Sequence, residues 1–165
     1  MKKVIVVLLL LLTCVCLFAC SKGPNSAQQV VFSNGKVYVT IMSDSMEPTL
    51  KKGDVIIANE FNGDVSTLKV GQLVTFKTFI SAGGTMYEVY NTHRIIKISG
   101  NYVITRGDNQ KDENGNIIDW RNFIDDTSGT VRETVSAENI VAVWGDVDEN
   151  LNFTPGRIQG RSLFA

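Results

Sequence analysis

The chain has 165 residues, and its 16 Lys and Arg residues against 17 Asp and Glu residues give a net charge of -1 at pH 7. This balance excludes the strongly basic surface typical of nucleic-acid binding, so we expect no nucleic-acid partner. All three cysteines, Cys14, Cys16 and Cys20, lie near the N-terminus. The remainder therefore has no thiol for a disulfide, a metal site or a cysteine nucleophile.

Residues 1–20 predict a targeting or anchoring segment. Two lysines precede an apolar run from Val4 to Ala19, whose length lies between a signal-peptide core and the about 20 residues of a spanning helix. The ending LFAC resembles the lipobox of bacterial lipoproteins, in which Cys20 becomes the lipid-bearing N-terminus after cleavage. The alternative is an uncleaved membrane anchor. Both interpretations attach the protein to the cell membrane, with the following domain on the extracytoplasmic face.

Residues 21–29 are polar, contain Gly and Pro, and predict a tether, so we expect one domain over residues 30–165. Short segments rich in Val, Ile, Thr and aromatic residues recur there between turn signals, as strands do. They are VVF, KVYVTIM, DVIIA, QLVTFK, MYEVYNTHRIIKI, NYVITRG and NIVAVWGDV. Turns such as SAGG and SGN favour hairpins. The pattern predicts an all-β fold of mainly antiparallel sheets with little helix, the best helical candidate being a short turn at 47–52, and an irregular loop over 109–128.

Serine catalysis requires a hydroxyl, a base that removes its proton and donors that stabilise an oxyanion. Ser45, in the stretch SDSMEPTL, follows a predicted strand, and His93 is the one histidine of the chain. Strand alternation places Thr92 and Arg94 on the face opposite His93. Taken singly, Ser45 is equally an ordinary turn residue, and a lone histidine usually has no chemical role.

Three blocks in order change that interpretation: SMEPTL at 45–50, THRI at 92–95 and TRGDNQKD at 105–112. Together they resemble the type I signal peptidases, specifically the branch of the endoplasmic reticulum and some bacteria and archaea in which histidine replaces a lysine base. The resemblance implies a signal-peptidase-like β fold that cleaves signal peptides from exported proteins without metal or cofactor. It makes Ser45 the nucleophile and His93 the general base, and it places the Ser45 N–H and the Ser43 hydroxyl in the oxyanion hole.

The residue that orients the base is less defined. The resemblance places a carboxylate after the GDN element, six residues beyond its first aspartate, but that position is Asn114. We expect Asp112 to orient His93, with Asp108 as the alternative, while both are also suited to closing a turn.

The resemblance also implies that the substrate binds by strand addition. Candidate walls of the substrate site are Ile41 and Met42, together with the Thr85–Asn91 run that leads to His93. A rival hypothesis is a catalytically weak or inactive module that binds leader peptides on the same fold.

Overall fold

The computed structural model describes residues 27–124 and 132–161. The predictions for residues 1–20 and for the end of the 109–128 loop lie outside these ranges. Of the described residues, 52% are in strands and 8% in short helices, none of them of seven residues or more, which confirms the all-β prediction. Within the same ranges, no helix has the length and apolarity needed to cross a membrane.

The described strands form one large antiparallel sheet and one small pair. The strands are β1 (Gln29–Ser33), β2 (Lys36–Thr40), β3 (Asp54–Glu60), β4 (Leu73–Ala82), β5 (Thr85–Ser99), β6 (Tyr102–Arg106), β7 (Glu133–Ser136), β8 (Ile140–Trp144), β9 (Asp146–Val147), β10 (Phe153–Thr154) and β11 (Arg157–Arg161). The large sheet runs β1-β2-β3-β8-β4-β5-β6-β7, with β11 also paired to β3, while β9 pairs with β10. Short 3-10 helices occupy Val65–Thr67, Trp120–Phe123 and Ala137–Asn139.

The seven predicted segments correspond to β1 to β6, β8 and β9. The SAGG turn joins β4 to β5, where Gly83 and Gly84 have φ of 58° and 80°, a left-handed conformation that glycine adopts without steric cost. The pattern missed β7, β10 and β11. These strands are short and contribute little to the core, Val135 being the one buried residue of β7, so they carry no clear alternation.

Two hydrophobic clusters lie against the sheet. The first contains buried side chains of β2, β3 and β8 together with Met46 and Leu50, and the second is formed by β4, β5, β6 and β7. Leu73 belongs to the first cluster and its neighbour Val74 to the second, because successive residues of a strand point to opposite faces.

The segment that carries Ser45 is a single turn between β2 and β3. The Glu47 N–H donates to the Asp44 carbonyl at 3.0 Å, and the Leu50 N–H donates to the Met46 carbonyl at 2.9 Å. Met46 and Leu50 are completely buried and hold the turn to the core. The predicted helical candidate at 47–52 is therefore one turn and does not continue.

The domain begins earlier than residue 30. Gln28 is only 7% exposed, and its Oε1 accepts a hydrogen bond from Thr92 Oγ1 on β5 at 2.7 Å. Thr92 also contacts Thr75 Oγ1 at 2.9 Å. The last residues of the predicted tether are part of the fold because they satisfy these buried hydroxyls.

Candidate active site

Ser45 and His93 meet beside the second hydrophobic cluster. Ser45 Oγ lies 3.3 Å from His93 Nε2, so the hydroxyl can donate to that nitrogen. The His93 side chain is 15% exposed, and its ring packs edge-on against Phe76 with the centroids 6.2 Å apart. Ser43 Oγ lies 3.2 Å from Ser45 Oγ. The structure thus brings together the three side chains that the sequence suggested for nucleophile, base and oxyanion donor.

The carboxylate at the other side of the imidazole belongs to Glu133, which sequence reasoning missed. His93 Nδ1 lies 3.0 Å from Glu133 Oε2, and the same oxygen accepts from Asn91 Nδ2 at 3.1 Å. Glu133 is the first residue of β7 and pairs with Thr105 of β6. No local motif marks this glutamate, because its position depends on which strand pairs with β6.

Asp112, predicted to orient His93, instead closes its own turn. Its Oδ1 accepts from the N–H groups of Asn114 and Asn116 at 2.9 and 2.8 Å, and its Oδ2 accepts from Asn116 Nδ2 at 3.1 Å. These bonds, led by the Asn116 side chain, lower the pKa of Asp112. The same three bonds recur at Asp148, which accepts from Asn150 and Asn152 in a turn between β9 and β10. The contact predicted between Asp112 and His93 is therefore replaced by an ordinary asparagine-rich turn.

Asp108, the alternative acid, lies on the opposite face of β5 from His93. Its carboxylate accepts from Arg94 Nε at 2.8 Å and from Arg94 Nη2 and Thr49 Oγ1 at 2.5 Å each. The Arg94 side chain is 1% exposed and also donates to the Gly71 carbonyl at 2.6 Å. This confirms the expected placement of Arg94 opposite His93. The role of Asp108 seen here is to neutralise a buried guanidinium.

Two aromatic rings complete the surroundings of Arg94. The guanidinium carbon lies 4.7 Å from the ring centroid of Trp120 and 4.4 Å from that of Phe153, distances at which cation–π attraction is favourable. Trp120 belongs to the irregular loop after the GDN element, and Phe153 belongs to β10. Arg94 therefore links β5 to the Ser45 turn, to the GDN loop and to the C-terminal strands.

Gly107 allows the GDN loop to lie close to both Ser45 and His93. A Cβ at this position would lie 2.6 Å from the Ser45 carbonyl oxygen and 3.3 Å from His93 Nε2. The same loop holds the Ser45 turn, since the Asn109 N–H donates to the Ser45 carbonyl at 2.9 Å and Asn109 Nδ2 donates to the Asp44 carbonyl at 3.1 Å. The GDN element thus fixes the backbone on either side of Ser45.

The two residues predicted as substrate-site walls differ in exposure. Ile41 is completely buried in the first hydrophobic cluster, and its N–H and carbonyl bond to Asp54 and Gly53. Its side chain does not face a substrate groove, because the alternation of β2 continues one residue beyond the strand and turns Ile41 inward. Met42 is half-buried and retains an accessible surface directly before Ser43.

A family model described as "Signal peptidase, peptidase S26" matches residues 3–154, which is most of the chain. The chain belongs to the signal peptidase family. Searches of curated proteins and of solved structures gave no match.

Signal peptidases are serine peptidases, and their substrates are signal peptides. This family membership agrees with a serine hydroxyl placed against an imidazole at the centre of the matched region. In the described ranges, no group of three or more histidine, cysteine and carboxylate side chains is arranged to hold a metal ion.

Replacement of Gly107 tests the close approach of the loop to the site. In Gly107→Ala, the new methyl group meets backbone at 2.6 Å, so the Ser45 turn must shift. Because a displacement of about 1 Å at a reacting group costs on the order of a hundredfold in rate, we expect kcat for leader-peptide cleavage to fall by about that factor. The control is Gly63→Ala, where no atom lies within 4 Å but the φ of 90° strains an alanine. The two variants are therefore compared at equal concentrations of folded protein, and equal kcat would contradict this account.

Substitutions of Glu133 and Asp112 test which carboxylate orients His93. The structure places Glu133 at His93 Nδ1, whereas the sequence predicted Asp112. Glu133→Gln removes the charge beside His93 Nδ1 while keeping its size, and loss of such an orienting carboxylate costs up to about 10⁴ in kcat. We expect a large loss of kcat with little change in KM, and partial recovery in Glu133→Asp. Asp112→Asn should cleave leader peptides near the wild-type rate. Slow turnover in Asp112→Asn with normal turnover in Glu133→Gln would return the orienting role to Asp112.

Proposed function

We propose that this protein is a membrane-attached serine endopeptidase that removes N-terminal signal peptides from exported proteins with a histidine base. The observation that carries the proposal is the chain of contacts from Ser45 Oγ through His93 to Glu133, with separations of 3.3 and 3.0 Å. A nucleophile, a base and an orienting carboxylate in this order form the arrangement of serine hydrolases on several unrelated folds.

The geometry supports a two-step reaction. His93 Nε2 takes the Ser45 proton as Oγ attacks the scissile carbonyl, and the ring then gives that proton to the leaving amine. The first step leaves an ester between Ser45 Oγ and the carboxyl end of the leader peptide. Water then attacks the ester carbonyl while His93 Nε2 takes one of its protons, and the ring returns this proton to Ser45 Oγ as the C–Oγ bond breaks. Glu133 accepts the Nδ1 hydrogen bond and stabilises the imidazolium that forms in each step.

The negative oxygen of the tetrahedral intermediate requires donors already in place. The Ser43 hydroxyl and the Ser45 backbone N–H are the groups we assign to this role. Ser43 Oγ lies 3.2 Å from Ser45 Oγ. Its hydroxyl is therefore close enough to donate to the oxygen of a carbonyl that Ser45 attacks.

We assign His93 as the base because its imidazole is in contact with the Ser45 hydroxyl. The side chain at Ser45 Oγ is an imidazole, whereas a lysine amine acts as a base only where burial favours its neutral form. Lys77 pairs with Glu88 at 3.3 Å and is not part of the site.

An extended leader peptide fits this site by strand addition. Residues 85–92 of β5 pair only with β4 among the described strands, because β6 pairs with Arg94 and the residues after it. Among the described residues, the other edge of this stretch therefore has no paired strand. Hydrogen bonding through the backbone allows leader peptides of varied sequence to bind. Met42, directly before the Ser45 turn, remains a candidate for a side-chain contact with the peptide.

The rival hypothesis, an inactive leader-peptide-binding module, was based on the displaced aspartate after the GDN element. Glu133 supports turnover over simple binding, since a carboxylate is present at the nitrogen where the base needs one. Release of a reporter from a leader peptide in repeated turnovers distinguishes the two functions, as a binding module releases none.

Replacement of Ser45 tests the proposal. Ser45→Ala should lower the leader-cleavage rate by several orders of magnitude, because the bond-forming atom is lost, while thermal unfolding stays close to wild type. The matched control is Ser33→Ala, an exposed serine of β1, which should cleave normally. Cleavage by Ser45→Ala at more than about a tenth of the wild-type rate would show that Ser45 is not the nucleophile.

We propose attachment through lipidated Cys20, on the extracytoplasmic side of the cell membrane. Mass spectrometry of protein extracted from membranes should then show a diacylated cysteine as the first residue. Recovery of an intact peptide that joins Ala19 to Cys20 from most molecules would instead indicate an uncleaved N-terminal anchor.

A further inference from the structure

Asn91 lies two residues before His93 on β5, so its side chain points to the same face of the sheet as the imidazole. Asn91 is half-buried, and its amide makes two hydrogen bonds. Asn91 Oδ1 accepts from the Thr92 N–H at 2.9 Å, and Asn91 Nδ2 donates to Glu133 Oε2 at 3.1 Å. This is the same carboxylate oxygen that lies 3.0 Å from His93 Nδ1. Asn91 therefore reaches the imidazole through Glu133.

The donors and acceptors along this chain of contacts fix its direction. A backbone N–H only donates, so the amide oxygen of Asn91 faces Thr92 and its amide nitrogen faces Glu133. An ionised carboxylate only accepts, so His93 carries its proton on Nδ1 and leaves Nε2 to accept from the Ser45 hydroxyl. The hydrogen bonds that begin at the Thr92 N–H thus select the imidazole tautomer that a base needs.

The Glu133 side chain needs support because it is long and partly in water. It is 39% exposed, and fixing a glutamate costs more rotamer entropy than fixing most side chains. Its backbone is held by pairing with Thr105 of β6, but this pairing leaves the side-chain torsions free. Glu133 also lines an open cavity of about 310 Å³ together with Phe76, which gives the carboxylate space to turn away from His93. A second donor at Oε2, supplied by Asn91, opposes that turn.

We propose that Asn91 is a positioning residue, which holds Glu133 Oε2 against His93 Nδ1 during leader-peptide cleavage. The inference rests on the proposed function and adds a fourth side chain to the Ser45, His93 and Glu133 arrangement. Asn91 keeps the carboxylate directed at the ring while His93 gains and loses a proton, so the imidazolium meets a partner that is already in place. Loss of the Asn91 amide therefore slows turnover without weakening the binding of the peptide.

Two variants of the full-length chain remove the amide donor. Asn91→Asp keeps the size of the side chain and the acceptor for the Thr92 N–H but places a second carboxylate beside Glu133, whereas Asn91→Ala removes both hydrogen bonds. Because a displacement of about 1 Å in the site costs on the order of a hundredfold in rate, we expect kcat for leader-peptide cleavage to fall by about that factor in both variants, with KM little changed.

The matched control is Asn62→Asp. Asn62 Oδ1 also accepts a backbone N–H, from Asp64 at 3.0 Å, but in an exposed turn, so this variant should cleave at the wild-type rate. Wild-type kcat in both Asn91 variants would overturn the proposal. A raised KM with unchanged kcat would also overturn it, since Asn91 would then be a wall of the peptide site.

A double-mutant cycle shows whether Asn91 acts through Glu133. In Glu133→Ala no carboxylate remains to be positioned, so the further change Asn91→Ala should alter kcat little, whereas the losses from two independent residues multiply. If Asn91→Ala costs as much in the Glu133→Ala background as it does in the wild type, Asn91 does not act through Glu133.

The tautomer of His93 provides a readout that does not depend on activity. His93 is the one histidine of the chain, so labelling histidine with ¹⁵N in the full-length protein gives the nuclear magnetic resonance signals of this ring alone. Where the ring is neutral, its proton should lie on Nδ1 in the wild type and be shared between both nitrogens in Asn91→Ala. Identical tautomers in the two proteins would contradict the positioning role.

The positioning contact and the proposed peptidase function can therefore fail independently. The expected change of tautomer in Asn91→Ala, found in a wild-type protein that cleaves no leader peptide, would retain the contact between Asn91 and Glu133 and reject the peptidase function. Cleavage by the wild type with no effect of either Asn91 variant would retain the peptidase function and reject the positioning role.

Discussion

The burial of the Arg94 guanidinium is the constraint on which the arrangement of the site depends. A charge that is 1% exposed is stable only when it is paired and fully hydrogen-bonded. Its partners come from separate segments: Asp108 from the GDN loop, Thr49 from the Ser45 turn and the carbonyl of Gly71 from the turn before β4. Satisfying this one cation therefore brings together the loops that surround Ser45.

Strand alternation connects that structural network to the position of His93. His93 and Arg94 are adjacent on β5 and point to opposite faces, so the buried ion pair on one face fixes the position of the imidazole on the other. The GDN loop acts on both sides, since Asp108 binds Arg94 while Gly107 and Asn109 contact the Ser45 turn. This is why three short motifs, distant in sequence, are needed together for one serine to meet one histidine.

The features that the sequence predicted correctly depend on local pattern. Alternation predicted the strands and the opposite faces of His93 and Arg94, and the motif order placed Ser45 beside the histidine. The carboxylate beside His93 was not predicted because Glu133 reaches His93 only through the pairing of β7 with β6, a long-range contact without a local signature. Asp112 was misleading because an aspartate two or four residues before asparagine closes a turn equally well, as Asp148 does. Ile41 was placed wrongly because the buried face of β2 extends past the end of the strand.

The most direct test of a serine nucleophile activated by histidine is identification of the covalent intermediate. The protein is mixed with a leader peptide carrying an activated ester at the cleavage position, quenched in acid within the first turnover, and digested for peptide mapping by mass spectrometry. The account predicts the leader acyl group on Ser45, with its formation greatly slowed in His93→Ala. An acyl group on another residue, or turnover of the ester without any acylated protein while His93→Ala reacts at the wild-type rate, would contradict it.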